Sequence, residues 1–322
     1  MAWRLVSYTT VLIPPEPYKT MYAAGIVEND KGERRVARIP AEYADVLGTG
    51  MRGELRREET VFGEIWVFIP EAKPQQPRVV VVTGGAGGIG SEIARVFAEH
   101  GFKVALADIN LEAAERVAGE IRSRGGIAVT VEMDVTSPES VSEGLSKIYS
   151  SLGRIKVLVN NAGVTIDSTL EKMTPEKWRK VVDVNLTGAY LCSREALKYM
   201  AYGGVIVNIS SLIGLSGNIG QSNYAAAKSG LAGLTYSLAK ELARRGIRVF
   251  AVAPGLVESG PTLKLWKHNR SLLADYVARL PIPRLIKPRE VAELIYFLVS
   301  NEAINGVVIP IDLGARIEPP RA

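Results

Sequence analysis

Tyr224 and Lys228 stand four residues apart in Asn223-Tyr224-Ala225-Ala226-Ala227-Lys228. On a helix that spacing puts both on one face. An ordinary tyrosine, with a pKa of about 10, is a poor base at neutral pH, and a nearby ammonium lowers that value by stabilising phenolate. Such a pair can take a proton from an alcohol or give one to a ketone. Ser211, just after the apolar run Val205–Ile209, is a hydroxyl suited to hydrogen-bonding the substrate oxygen, with Ser210 competing for that role. A Tyr-x-x-x-Lys pair alone is common on helix surfaces, so the chemistry needs a second group of residues to support it.

That group lies upstream. Val79-Val80-Val81-Val82-Thr83 runs into Gly84-Gly85-Ala86-Gly87-Gly88-Ile89-Gly90 and then a helical pattern from Ser91. Glycines at 84, 88 and 90 let the backbone turn tightly and approach a pyrophosphate, and the helix start aims N–H groups and positive dipole at it. Asp108 closes the next strand, 18 residues past Gly90. Its carboxylate can accept from adenosine ribose hydroxyls and repels a 2′-phosphate. Neither Gly85 nor Ile109 offers a cation to recruit one, so NAD is favoured over NADP.

The elements that must hold these residues alternate. Strands are expected over 78–82, 104–107, 128–133, 157–159, 205–209, 248–251 and 307–311. Helices are expected over 91–101, 111–124, 138–152, 175–185 continuing to 200, 223–245 and 288–299. Strict β/α alternation with apolar strands means a Rossmann-type, doubly wound parallel sheet with helices on both faces. Asn208 and Asn223 are expected to satisfy backbone groups. Cys192, on an apolar helical stretch, reads as an inert core thiol.

These residues together resemble the classical short-chain dehydrogenase/reductase family over about 78–314. The family's Thr-Gly-x-x-x-Gly-Ile-Gly stands as Thr83 to Gly90, its strand-end Asp as Asp134 before Val135, and its Asn-Asn-Ala-Gly as Asn160-Asn161-Ala162-Gly163. Its Pro-Gly motif is Pro254-Gly255, followed by Val257 and by Ser259 where Thr is usual. The resemblance implies a catalytic set of Asn185, Ser211, Tyr224 and Lys228. Lys228 would also hold the nicotinamide ribose, and Asn185 a water joining Lys228 to solvent. The thirteen-residue spacing to Tyr224 matches the family's ketoacyl reductases from Ser211 rather than Ser210. Cofactor contacts would come from Gly84, Gly85, Gly87, Gly88, Ile89, Gly90, Asp108, Ile109, Asp134, Val135, Asn161, Ala162, Gly163, Tyr224, Lys228, Pro254, Gly255, Val257 and Ser259. A homotetramer or homodimer is implied. The last motif departs from the family's Asp-Gly-Gly, reading Asp312-Leu313-Gly314.

Residues 257–285, with Gly260-Pro261 and Trp266, are expected to form a lid over the substrate. Lys264, Lys267, Arg270, Arg279 and Arg284 are its candidate contacts for a phosphopantetheine or CoA phosphate.

Residues 1–70 read as a small all-β domain, and 71–77, with three prolines, as a linker to a domain over 78–322. Strands are expected over 19–28, 34–39, 51–57 and 65–69, and a short helix over 41–47, giving a small barrel. Tyr18 to Glu28, Gly32, Val36 to Ile39 and Leu47 to Leu55 resemble the OB-fold domain of the DUF35 acyl-CoA-associated family, without its zinc ribbon. Such domains accompany thiolases, which implies acyl-CoA substrates and a thiolase-type partner.

Charge and composition set outer limits. The first 77 residues carry net −1 and the rest net +6, so the basic excess sits with the phosphate-binding part. No Lys/Arg run suits a nucleic acid. One cysteine and two histidines (His100 and His268, both expected at the surface) make no metal site. The apolar runs are too short for a membrane span and no signal peptide is evident, so a cytoplasmic enzyme is expected. The leading expectation is an NAD-linked reductase of a 3-oxoacyl thioester, acetoacetyl-CoA for instance. Alternatives are a dehydrogenase of a small polyol, sugar or acetoin-like diol, and a non-catalytic nucleotide-sensing scaffold.

Overall fold

The structure is a computed structural model. It describes residues 2–11, 22–43, 47–60, 63–71, 78–260 and 270–316, without the side chains of 270, 272 and 273. The expected linker lies outside these residues apart from Glu71, as do the lid residues 261–269 with Lys264, Trp266, Lys267 and His268. Two compact units are present: residues 1–77 with Ala201–Gly204 and Glu241–Ile247, and the remainder.

The first unit is built on a closed five-stranded barrel. Its strands are β1 (Trp3–Val11), β2 (Tyr22–Asn29), β3 (Arg34–Pro40), β4 (Arg52–Thr60) and β5 (Gly63–Pro70), in the order β1-β2-β3-β5-β4. Buried positions alternate along β2 (Ala23, Gly25, Val27, Asn29) and β3 (Ala37, Ile39), as a barrel wall requires. Leu5, Ala23, Val27, Ala37, Ile39 and Phe68 make its buried core. β1 was not legible in the sequence: a bulge between Leu5 and Ser7 breaks the alternation that marks a strand. Within the stretch expected to be helical, 41–47, Ala41–Tyr43 form a 3-10 turn, and 44–46 lie outside the described residues.

The second unit is a seven-stranded parallel sheet. In chain order its strands are β6 (Val79–Thr83), β7 (Lys103–Asp108), β8 (Ala128–Glu132), β9 (Ile155–Asn160), β10 (Met200–Ile209), β11 (Arg248–Pro254) and β12 (Val308–Ile311). They lie side by side as β12-β11-β10-β9-β6-β7-β8. The order reverses between β6 and β9, and ligands bind outside the carboxyl ends of strands at such a switch. Helices α1 (Gly88–Glu99), α2 (Leu111–Ser123) and 288–300 cover one face, packing Ile93, Phe97, Val117, Ile121, Ile295 and Leu298 on Val80, Val82, Val104 and Leu106. Helices α3 (Pro138–Leu152), α4 (Pro175–Val182), α5 (Gly188–Ala196) and α7 (Ser222–Glu241) follow other strands, with the single turn α6 (Ile213–Ser216) before α7.

The helix expected from 175 to 200 is not continuous. A π-helical turn, Asp183–Thr187, separates α4 from α5. Single π turns inside helices commonly mark functional positions, and this one contains Asn185. At the carboxyl end, Leu313 takes φ 55°, a left-handed conformation that glycine adopts without cost and that costs other residues roughly 1–2 kcal/mol. Its side chain packs on the sheet's core cluster in partial return.

Candidate active site

The glycine-rich turn joins β6 to α1. Gly84 has φ +61°, and a Cβ there would stand 2.9 Å from Ala162 Cα. A Cβ on Gly90 would fall 2.3 Å from Gly84 O. No side chain caps α1 at Gly87, and no acidic residue occupies its first turn. The first N–H groups of α1 therefore face a bare backbone cradle with positive dipole, which fits a pyrophosphate. Ile89 packs partly on the core beneath, and Gly85 lies against Leu106, with its Cβ position 3.0 Å from Leu106 Cβ.

Thr83 and Asn161 lock this turn to the end of β9. Thr83 Oγ1 donates to Val159 O at 3.3 Å and accepts from the N–H groups of Asn161 and Ala162 at 3.0 and 3.1 Å. Asn161 Nδ2 donates to the carbonyls of Thr83 and Gly84, both at 3.0 Å.

Asp108 ends β7 beside the turn. One carboxylate oxygen accepts from Ala86 N–H at 2.9 Å and the other from Asn110 N–H at 2.9 Å. It thus caps the turn as well as facing the cradle, and each oxygen keeps a lone pair for a ribose hydroxyl. Ile109, next to it, is 71% exposed. Asp134 is exposed, and Thr136 holds it ionised: its hydroxyl donates at 2.7 Å and its N–H at 2.9 Å, which pull the carboxyl pKa down. Val135 is buried against Gly188, where a Cβ would meet its Cγ2 at 2.7 Å.

After β11, Pro254 and Gly255 lead to Val257, which bridges to Ile286. Ser259 then returns over the start of α1, with its Cβ 3.0 Å from the position a Gly88 Cβ would take. Of the expected phosphate contacts, Arg279 is exposed, whereas Arg284 is taken by a bidentate ion pair with Glu290 at 2.7 and 2.8 Å.

The four expected catalytic residues come from three places: Tyr224 and Lys228 from α7, Ser211 from just past the end of β10, and Asn185 from the π turn. Lys228 is buried on α7, and its Nζ donates to Ile209 O at 2.7 Å, with the Tyr224 ring centroid 5.6 Å away. Burial pushes the Lys228 ammonium down to about 8. Tyr224 departs from the expectation of a lowered pKa. Burial raises it most, a hydrogen bond with the Ser211 side chain lowers it, and the Asp167 carboxylate raises it again. Burial of the phenol is the main reason, and the Lys228 ammonium is tied to Ile209 O at the end of β10.

Ser211 and Ser210 separate cleanly. Ser210 Oγ donates to Lys228 O at 2.8 Å, tying α7 to β10, while Ser211 Oγ accepts from Ile213 N–H at 3.2 Å and its side chain lowers the pKa of the Tyr224 phenol. Asn185 Nδ2 donates to Val164 O and Val181 O, both at 2.8 Å. Its Oδ1 is buried with no partner. A Cβ on Gly163 would stand 2.6 Å from that Oδ1 and 3.5 Å from Lys228 Nζ, so the residue must be glycine for Asn185 and Lys228 to face one space.

Asn223 behaves as expected, donating to Ile166 O at 3.0 Å and accepting from Tyr224 N–H at 2.8 Å. Asn208 does not. It accepts from Asn160 and donates to Thr235, both at 2.9 Å, in a buried side-chain network beneath the site. Cys192 is buried, and its thiol is pushed up to about 12. His100 is exposed and stacks on Tyr296 at 3.7 Å. Among the described residues there is no cluster able to hold a metal, and no helix is long and apolar enough to cross a membrane. Sequence reasoning passed over Asp167. It follows the Asn-Asn-Ala-Gly stretch by four residues, and only the folded loop brings it to Tyr224.

Comparison with known proteins agrees with this geometry. The short chain dehydrogenase family matches residues 78–270. A 3-oxoacyl-[acyl-carrier-protein] reductase of Thermotoga maritima is 42% identical over 74% of this chain and 98% of its own length. The corresponding reductase of Aquifex aeolicus is 41% identical over 74% of this chain and 97% of its own length. A cis-4-hydroxycyclohexanecarboxylate dehydrogenase of Sinomonas cyclohexanicum is 42% identical, again over 74% of this chain, and is covered to 96%. With its dinucleotide cradle and assembled tyrosine, lysine, serine and asparagine, the chain belongs to the short chain dehydrogenases, oxidoreductases that work with a nicotinamide cofactor.

Proposed function

We propose that the protein is a cytoplasmic, NAD(H)-dependent reductase of 3-oxoacyl thioesters, carried on CoA or an acyl carrier protein. The observation that carries this reading is the Ser211–Tyr224–Lys228–Asn185 constellation beside the β6–α1 cradle, in a chain about 40% identical to 3-oxoacyl-[acyl-carrier-protein] reductases.

The cofactor's pyrophosphate would lie on Gly87, Gly88, Ile89 and Gly90, its adenosine ribose on Asp108, its adenine near Ile109 and Asp134, and its nicotinamide side by Asn161, Ala162, Gly163, Pro254, Gly255 and Val257. When bound, the nicotinamide supplies the hydride. Tyr224, kept protonated by its surroundings, gives its phenolic proton to the ketone oxygen as negative charge grows there. Ser211 donates a hydrogen bond to the same oxygen and so stabilises that charge. Lys228 uses its remaining N–H donors for the nicotinamide ribose and for proton return to Tyr224. Asn185 Oδ1, with no protein partner, orients the water through which that proton arrives.

The Asp108 carboxylate supports NAD: a 2′-phosphate beside it would meet like charge, and no cation stands at 85–87 or 109 to offset that. In an assay with acetoacetyl-CoA, kcat/KM with NADH should exceed that with NADPH by tenfold or more. Asp108→Asn should narrow the gap, and an equal or reversed preference in the parent enzyme would remove the NAD assignment.

A second reading, dehydrogenation of a small secondary alcohol, is favoured by the cis-4-hydroxycyclohexanecarboxylate dehydrogenase relative. Turnover of such alcohols with NAD and of no thioester would select it. The barrel's strand order supports an OB-like domain. Together with the resemblance of residues 18–55 to acyl-CoA-associated domains, this supports CoA thioesters as substrates and a thiolase-type partner. Exposed Tyr190 on α5 and Tyr236 on α7 support assembly as a homodimer or homotetramer through those helices.

A further inference from the structure

Three successive residues at the end of β10 are tied to α7. Asn208 Nδ2 donates to Thr235 Oγ1 at 2.9 Å, Ile209 O accepts from Lys228 Nζ at 2.7 Å, and Ser210 Oγ donates to Lys228 O at 2.8 Å. Thr235 follows Lys228 by seven residues, two helical turns, and so lies on the same face of α7. The ties continue on both sides. Asn160, the partner of Asn208 across β9 and β10, donates through Nδ2 to Asn208 Oδ1 and to Ser193 Oγ of α5, both at 2.9 Å. Thr235 Oγ1 donates to Leu231 O at 2.7 Å, and Ser193 Oγ to Ala189 O at 2.6 Å. Asn160, Ser193, Asn208 and Thr235 are all buried.

We propose that Asn208 and Thr235 are positioning residues for the reaction: their hydrogen bond fixes where α7 lies against the end of β10, and so keeps Lys228 Nζ on Ile209 O and the Tyr224 phenol where it meets the substrate. This rests on the ketone-reductase reading above and deepens it.

The buried face of α7 shows why a polar tie is needed. It consists of Asn223, Ala227, Lys228, Leu231, Thr235 and Ala239, with Leu231 its one large apolar side chain. Apolar contact is non-directional, and two alanines give a helix little relief by which to set its rotation or its shift along the sheet. Hydrogen bonds are directional, and a buried network of them is rigid. The Ser210–Lys228 bond holds α7 at one point and leaves it free to pivot there. The Asn208–Thr235 bond adds a second point about 10 Å further along the axis. Asn208 is also the chain neighbour of Ile209, whose carbonyl holds the catalytic ammonium. Stability alone does not call for this pair, because apolar groups in place of both partners cost little.

The test is Thr235→Val, which removes the hydroxyl and keeps the shape, beside Thr235→Ser, which keeps the hydroxyl. Both are read in the full-length protein with acetoacetyl-CoA, at a temperature where thermal melts show them folded. In Thr235→Val kcat should fall about tenfold or more, while NADH affinity, read by fluorescence, stays within about twofold. Thr235→Ser should keep kcat within about threefold of the parent. A role in stability alone would lower the melting temperature and leave the folded protein's kcat at the parental value, and that result would overturn the proposal. So would a loss in Thr235→Ser as large as in Thr235→Val. Should Thr235→Val fail to fold with Asn208 Nδ2 unpartnered, the double variant Asn208→Leu with Thr235→Val, which makes both groups apolar, takes its place, and parental kcat there counts equally against the proposal. Failure of the thioester reading looks different: the parent turns over no thioester, and the same ratios are then read with whichever ketone or alcohol reacts. Should none react, tyrosinate absorbance, taken as the difference from Tyr224→Phe, reports the phenol's surroundings, which a shifted α7 must change. Equal titration in the parent and in Thr235→Val would again overturn the proposal.

Discussion

Lys228 buries an ammonium with one carbonyl partner, and that has a thermodynamic signature. Its folded pKa, about 8, lies below its ordinary value of 10.5. Between those values the unfolded chain binds the extra proton, so the stability of the parent relative to Lys228→Met should rise as pH climbs from about 8 to 10.5. Urea unfolding of both proteins across that window checks the sign. Cys192 gives a simpler expectation. With its thiol buried and pushed up to about 12, it should resist iodoacetamide at pH 8 in the native state and react once the chain unfolds. Tyr224 and Lys228 were legible in the sequence because their spacing puts them on one helix face, whereas Asn185 and the choice of Ser211 over Ser210 came from the resemblance to the family. The electrostatics of the pair were not legible. Tyr224 and Lys228 share a helix face as expected, yet the lysine reaches Ile209 O and the phenol is governed by burial, Ser211 and Asp167. Spacing tells which side chains are neighbours; the direction a long side chain takes is decided by the carbonyl it finds.

At the scale of elements, the π turn over Asp183–Thr187 is what a reading by helical period cannot foresee. A pattern of period 3.6 runs through 175–200, and one extra residue in a turn barely disturbs it. The turn matters because it releases Asn185 toward Val164 and Gly163. Gly163→Ala should therefore do more damage than an ordinary glycine substitution. The added methyl, 2.6 Å from Asn185 Oδ1, must displace the asparagine, and kcat should fall by about a hundredfold, well beyond the loss of dinucleotide affinity expected of a residue proposed to line the nicotinamide side. Stopped-flow turnover and equilibrium NADH fluorescence separate the two effects. The order of the seven parallel strands along the chain, by contrast, was readable, because a fully buried strand such as β6 is a continuous apolar run. The barrel was readable except for β1, whose bulge hides its period.

For the whole molecule, the barrel is the part that lies outside the residues, 78–270, matched by the short chain dehydrogenase family. Should it hold acyl-CoA, removal of residues 1–77 should raise KM for acetoacetyl-CoA about tenfold. The same cut should leave KM for methyl acetoacetate, which lacks the CoA moiety, within about twofold. A thermal melt of the shortened chain guards against simple loss of fold. The central claim lies in the other unit: Tyr224 delivers a proton to a 3-oxoacyl thioester while the nicotinamide delivers hydride. The direct measurement is NADH oxidation by the full-length protein with acetoacetyl-CoA, beside Tyr224→Phe at matched NADH saturation. The account predicts steady turnover in the parent and a loss of about a hundredfold or more in Tyr224→Phe, with NADH affinity retained. Full turnover in Tyr224→Phe, or none in the parent with any 3-oxoacyl thioester, would contradict it.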